Sequence, residues 1–480
     1  MPKIVEPVFF LRQNTLSNKM KFKIRKTYLV TTILCLPFIL MMCRKPGEFP
    51  EADYDPRLSG GLATVFDESN RAFGHGIEGM NENDLHAHEV GDGGVEHSFV
   101  TAPAPINSGL GPVFSNVSCV SCHHNDGKGN PTAGLVNSSL LIRLSTPGSD
   151  LHGGPLGVPG YGGQLQDLAI YGQLPEANVN ISYTESIVTL PGGETVGLRN
   201  PTYTLSNPYV PLPGNYMMSP RMAPPFFGLG LLQNISEASI LANADENDAN
   251  GDGISGKANY VWDPYLNKRM IGKFGLKANT ATILTQVAAA YQQDMGVTSY
   301  VFPKESSFGQ PQYDGHADDP EIPDSVLNGA AFYIKTLAVP ARRSVTDAVA
   351  LQGEQIFKQI NCANCHIPTM LTAVDVTLKQ ISNQRIHPYT DLLLHDMGAG
   401  LADNRPDYLA NGNEWKTPAL WGIGLFEKTN GIPYYLHDGR ARTIEEAIVW
   451  HSGEAEASKN KFMLLSTADR KALIKFIKSL

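Results

Sequence analysis

Two copies of one short pattern constrain this chain more than any other feature: Cys119-Val-Ser-Cys122-His123 and Cys362-Ala-Asn-Cys365-His366. The pattern places two thiols one helical turn apart with an imidazole directly after them. That spacing lets both thiols bond the vinyl groups of one porphyrin while the histidine ligates its iron. A zinc half-site would need four clustered ligands, and a redox disulfide has no use for the adjoining histidine. Of the six cysteines only Cys35 and Cys43 lie outside the two runs, so no disulfide framework remains to be built. The expected cofactors are two covalently bound haem c groups, held by Cys119, Cys122, Cys362 and Cys365 and ligated by His123 and His366. Both runs have similar surroundings. Phe114 and Phe357 each stand five residues before the first cysteine, and Gly111 and Gly353 open the two segments. Ile356, Phe357 and Ile360 fall on one face of a helix leading into the second run.

A second repeat lies downstream. Pro224-Pro-Phe-Phe-Gly228-Leu-Gly230-Leu231 matches Pro418-Ala-Leu-Trp-Gly422-Ile-Gly424-Leu425, and Ile235-Ser-Glu237-Ala238 matches Ile444-Glu-Glu446-Ala447. The expected fold is therefore mainly α: two cytochrome c-type domains in tandem, with long loops and few short strands. The first domain would span 59–343 and the second 344–480. The 46 glycines and 33 prolines suit such loops. Ser466-Thr-Ala-Asp469 reads as the start of an amphipathic C-terminal helix.

Extending the repeat sets His451 opposite Ala242. With His451 as sixth ligand of the second iron, the first iron lacks a ligand from that position, leaving a face where peroxide can bind. Met397 is the rival ligand, and the plain alternative for His451 is a capping or core histidine. Asp248, Asn250 and Asp252, followed by Gly253 and the carbonyl of Ile254, follow the first half of an EF-hand-type loop, which makes Ca2+ a candidate. Position 12 is Asn259 rather than Glu, with Asp245 as the substitute carboxylate; the alternative is a solvated Asx-rich turn.

At the N-terminus, Lys19, Lys21, Lys23, Arg25 and Lys26 precede an uncharged, mainly apolar run from Tyr28 to Met42. This is short for a membrane span and suits the core of an export signal. Residues 1–43 are read as extension and signal and 44–58 as a tether, giving an exported, periplasmic protein. Cys43 is the candidate lipid attachment point. The net charge of −9 argues against a nucleic-acid partner.

Longer stretches carry a resemblance. They include Gly109-Leu-Gly-Pro-Val-Phe114, Tyr161-Gly-Gly-Gln164-Leu-Gln166-Asp167, Asp252-Gly-Ile-Ser-Gly256, Leu394-His395-Asp396-Met397-Gly398, His437-Asp438-Gly439-Arg440 and Trp450-His451-Ser-Gly-Glu454. From about residue 58 onward the chain resembles the di-haem oxidoreductases related to bacterial di-haem cytochrome c peroxidase and MauG, in the branch often labelled peroxidase or thiol oxidoreductase. The thiol label finds no independent support, since every cysteine after the signal except Cys43 is assigned to haem. The resemblance implies peroxidase-like chemistry at the N-terminal haem. Electrons would enter at the C-terminal haem from a small cytochrome or cupredoxin. The C-terminal ligand of the peroxidases is Met and that of MauG is Tyr, where this chain has His451. The Gly-Arg-Ala segment before the peroxidases' distal Glu is missing, so Glu237 is the nearest equivalent, with Gln164 as a hydrogen-bonding partner. His75, His86, His88, His97 and His124 are all open as sixth ligands of the first haem, and Trp262 is a candidate relay. Two other functions stay in view: a di-haem cytochrome that only transfers electrons, and a haem-containing sensor or accessory protein of iron uptake.

Overall fold

Two helix backbones can touch only where a side chain is missing, and the two main helix crossings of this chain are both made at glycine. The computed structural model describes residues 54–480, apart from 317 and 432. The expected signal, Cys43 and most of the expected tether lie outside those residues. Helix α1 (Glu82–Glu96) begins at Asn81, whose side chain accepts from Asp84 N, and it packs on α2 (Asp324–Lys335). Helix α3 (Ala348–Gln359) is capped by Asp347, which accepts from Val349 N and Ala350 N. It packs on α4 (Thr467–Ser479), which begins at Ser466 as expected. A Cβ on Gly91 of α1 would lie 2.2 Å from the Gly329 carbonyl oxygen of α2, and one on Gly353 of α3 would lie 2.0 Å from that of Ala472 in α4. The counterpart of Gly353 is thus Gly91, not Gly111. Gly111 instead sits between two short strands, pressed against Gly296.

The second repeat has the same kind of internal correspondence. Gly228 (φ +73°) and Gly422 (φ +70°) each open a short helix from the left-handed region. A Cβ on Gly230 would lie 2.0 Å from the Lys335 carbonyl at the end of α2; one on Gly424 would lie 1.9 Å from the Lys478 carbonyl at the end of α4. The copies also interlock. A Cβ on Gly228 would strike Trp421 at 2.6 Å, and one on Gly422 would strike Phe227 at 2.5 Å. Each glycine therefore seats the aromatic that precedes the other. Asp55–Leu480 form one compact unit, and its main core runs through both halves, taking in Phe73, Phe227, Phe357, Trp421 and Phe476.

The expectation of a mainly α fold with few strands is corrected: among the described residues 28% are helical and 20% strand, a mixed fold with many short strands. Strand β1 (Leu140–Ser149) precedes β2 (Asn178–Thr189) and β3 (Thr195–Ser206), which form an antiparallel hairpin of two twelve-residue strands paired from Asn178↔Ser206 to Thr189↔Thr195. Strand β4 (Met217–Met222) returns antiparallel to β1 and closes a satellite core around Leu140, Leu144, Tyr161 and Leu165. The hairpin is fastened to the C-terminal half. Arg199 Nη2 donates to the Gly439 carbonyl at 2.7 Å, Arg442 pairs with Glu185 at 2.9 Å, and Arg470 donates to the Pro191 carbonyl at the tip. Among the described residues no helix is long and apolar enough to cross a membrane.

Candidate functional site

The second run lies in a single helical turn at Cys362–Asn364, and His366 N closes on the Cys362 carbonyl at 3.0 Å. His366 Nδ1 bonds the Tyr389 carbonyl at 3.0 Å, and His451 Nδ1 bonds the Ala447 carbonyl at 2.8 Å. A carbonyl only accepts, so Nδ1 holds the proton in both rings and Nε2 keeps its lone pair, as an iron ligand requires. Burial pushes the His366 imidazole down to about 4 and lowers His451 as well, so both are neutral near pH 7. His366, His451, Cys362, Cys365 and Met397 all line one large, mainly apolar cavity. His366 keeps some accessible surface although burial dominates its titration, because that surface faces the cavity. Paired thiols, neutral imidazoles and apolar walls fit a covalently held porphyrin.

His395 lines the same cavity in a different state. Its Nε2 meets Asp391 Oδ2 at 2.8 Å, its Nδ1 meets Glu454 Oε2 at 2.7 Å, and the Cys365 sulfur lies 3.7 Å away. Burial alone would lower its pKa, but the bonds to Asp391, Cys365 and Glu454 raise it to about 12. It is an imidazolium with both nitrogens committed. Two lysines also face the cavity: burial pushes Lys128 down to about 7 and Lys416 to about 8, each partly offset by an acid, Asp438 and Asp391 respectively.

The calcium expectation is not supported. Among the described residues no group of three or more His, Cys, Asp or Glu is arranged to hold a metal ion. Asp248 accepts from Gly253 N, Asn250 Oδ1 from Asp252 N, and Asp252 Oδ1 from Ile254 N. The loop is the Asx-rich turn, its side chains spent on its own amides. Asp252 Oδ2 accepts from Asn364, and Ser255 donates to Glu454 through both N and Oγ, so the loop braces the second run instead.

At the first run, Ser118 caps the turn Cys119–Cys122 and His123 N closes on the Cys119 carbonyl at 3.0 Å. His123 Nδ1 donates to the Pro224 carbonyl at 2.6 Å, and its ring stacks on Phe226 at 3.9 Å. Burial pushes it down to about 4, so it too is neutral with Nε2 left over. Pro224 also lines the second cavity, so the two sites share a wall.

A polar cluster adjoins this run. The Asp294 carbonyl accepts from Ser115 N and Asn116 N, and burial raises its carboxyl pKa. Its charge in turn adds to burial in raising the Cys119 and Cys122 thiols. Gln164 Nε2 reaches Asp294 Oδ1 at 2.9 Å and the Gln293 carbonyl at 2.8 Å, while Gln164 Oε1 is buried with no partner among the described residues. Gln164 is therefore placed beside the first run. Glu237 is not brought to either run: it is exposed at the start of the helix Glu237–Leu241 and accepts from Ile271 N at 3.2 Å.

Other sequence candidates scatter. His75 is paired with Asp67 at 2.6 Å, His88 is held by Thr336 Oγ1 at 2.7 Å, and His86 is exposed. Trp262 stacks on His152 at 4.0 Å, whereas the tryptophan that lines the cavity is Trp415, stacked on His437 at 3.9 Å. Asp294 escaped the sequence reading, although it left a trace there. It is an acid in the last turn before a helix-ending glycine, where the helix dipole disfavours negative charge.

Among solved structures, the chain is similar to Kuenenia stuttgartiensis hydrazine synthase pressurized with xenon, at 13% identity and a TM-score of 0.34, over 91% of this chain and 99% of that one. It is also similar to a MauG-like protein associated with microbial copper homeostasis, at 14% identity and a TM-score of 0.26, over 53% of this chain and 88% of that one. Both likenesses are distant, and no curated protein sequence matches. A family model described as "Di-haem oxidoreductase, putative peroxidase" matches residues 54–480, spanning both histidine-bearing runs, and the chain belongs to that family of di-haem oxidoreductases.

Proposed function

We propose that the protein reduces a peroxide at the first run, with electrons entering at the second from a small exported cytochrome or cupredoxin. The observation that carries this reading is the unequal finish of the two sites. The second cavity is lined by two neutral imidazoles, His366 and His451, each with Nε2 left over. Beside the first run stand a single such histidine and the buried Asp294–Gln164 pair. When bound, the two haem irons supply the one-electron steps and a binding position for the oxidant.

The chain's own residues do the rest. His123 is oriented by the Pro224 carbonyl and the Phe226 ring, which fixes where its Nε2 points. The unpaired Gln164 Oε1 can accept a hydrogen bond from the oxidant's hydroxyl. The Asp294 carboxyl, raised by burial and steadied by Gln164, can hold and return a proton. Each peroxide takes up two electrons and two protons and leaves as two waters. His451 is the proposed sixth ligand of the second iron, ahead of Met397, because its tautomer is already set by Ala447. Export and a lipid anchor at Cys43 belong to the same reading, since covalent haem attachment is completed outside the cytoplasm.

Electron paramagnetic resonance combined with a peroxide titration tests it. A high-spin signal from one haem that changes with stoichiometric peroxide is expected. Two low-spin haems inert to peroxide would make the protein an electron carrier only.

A further inference from the structure

The cavity of the second run contains two amines that no carboxylate among the described residues pairs with directly. Lys416 ends the short strand Glu414–Lys416, directly after Trp415, and its backbone N is fixed to the Leu276 carbonyl at 3.0 Å. Lys128 lies five residues after His123, with its ammonium 5.8 Å from the Phe426 ring centroid and 5.7 Å from that of Tyr435. Both side chains line the cavity, and neither makes an ion pair or a hydrogen bond through Nζ among the described residues. The acids that act on them are already engaged. Asp391 is committed to His395 through Oδ2 and to Leu393 N through Oδ1. Asp438 holds Arg440 and accepts from the Tyr203 hydroxyl at 3.1 Å. An ammonium taken out of water without an anion is costly, and two in one apolar chamber imply an occupant that brings both anions.

We propose that Lys128 and Lys416 are the counter-ions of the two propionate carboxylates on the porphyrin of the second run. The inference rests on the two-haem reading and adds to it a charge pairing that crosses the repeat. The occupant must have a large apolar body, an edge that bonds Cys362 and Cys365, and two anionic groups for the two amines that share the cavity with them. A porphyrin joined through its vinyl groups has all three. Lys128 then makes the loop carrying the first iron ligand part of the binding site of the second porphyrin.

The test uses the full chain matured with haem, as wild type and as Lys128→Met, Lys416→Met and Lys416→Arg. Mass spectrometry comes first: a wild-type chain without two added porphyrins sinks the two-haem reading itself. With both porphyrins present, spectroelectrochemistry is expected to show a lower midpoint potential for the second haem in each Met variant, since an unpaired propionate disfavours the added electron. Lys416→Arg should restore it, and the first haem should move less. Unchanged potentials in both Met variants overturn the proposal. So does Lys416-dependent binding of added formate to the haem-loaded wild type, which would make these lysines a site for solvent anions. If the Met variants fail to fold, a structure of the haem-loaded wild type decides. Propionate oxygens within about 4 Å of the two Nζ atoms support the pairing, and greater separations overturn it.

Discussion

At the C-terminal end of the helix Ile444–Trp450 stands His451, lining the cavity of the second run; at the same end of the helix Glu237–Leu241 stands Ala242. The attachment turns themselves are nearly identical. In both, the histidine N closes on the first cysteine's carbonyl at 3.0 Å, and its Nδ1 is held by a distant carbonyl. What differs is what stands around them. The second run is surrounded by an extra imidazole, the imidazolium of His395 and two lysines, the first by a buried acid and an amide. The repeat thus keeps the paired thiols and the oriented histidine and varies the groups around them, and the proposed division between peroxide chemistry and electron entry rests on that contrast.

The largest test of that contrast is removal of one cofactor. Replacing Cys362 and Cys365 together with Ala should leave one porphyrin on the chain after acid-acetone extraction, as read by mass. Loss of both would show that the sites are not separable.

Next, Asp294→Asn should cut peroxide turnover by roughly 10²- to 10⁴-fold without altering haem content, as for loss of an acid–base group. Glu237→Gln, remote from both runs, should leave turnover within about twofold. Equal losses in the two variants would remove the assignment of the first site.

His451→Ala should convert the second haem from low to high spin while Met397→Ala leaves it unchanged, as seen by electron paramagnetic resonance; the reverse pattern would exchange the two ligands. A smaller effect probes the shared scaffold. Gly230→Ala and Gly424→Ala should each cost about 1–3 kcal/mol in chemical denaturation, because each added Cβ meets a helix-end carbonyl at equivalent places. Unequal losses would weaken the pseudo-symmetry.

An effect of the same order, confined to acid conditions, is in pH. Burial raises the Glu454 carboxyl, but His395 and Ser255 outweigh it and hold it at about 2, below its ordinary 4.5. A lowered pKa stabilises the fold above pH 4.5, and that contribution is lost as pH falls toward 2. Glu454→Gln should flatten this acid slope by about 1–3 kcal/mol in denaturation midpoints across that range.

Much of the attachment chemistry was legible in sequence because it is local: five residues specify each run. The downstream repeat was legible too, since the glycines of Pro-x-x-x-Gly-x-Gly are dictated by backbone contacts that tolerate no Cβ. The match of Gly111 to Gly353 was misleading because the glycine that plays the same part, Gly91, lies far upstream, and short strands fill the interval before the first run. The hairpin β2–β3 was overlooked although its side chains alternate in exposure; two haem motifs gave undue weight to helices. Asp294, Lys416 and Trp415 could not be singled out, since their meaning comes from partners distant in the chain. Glu237 shows the converse: local similarity to a catalytic segment does not carry a side chain to the site.

The reciprocal seating of Trp421 on Gly228 and of Phe227 on Gly422 has a consequence for how such a chain can change. Each half supplies a wall that the other cannot do without, so a cut between 343 and 344 would strip both of their lining and neither piece should hold a native haem pocket. Drift at one of these four positions is answerable to the opposite copy, so a duplicated module of this kind diverges in its chemistry while its seam stays bound to its original partner.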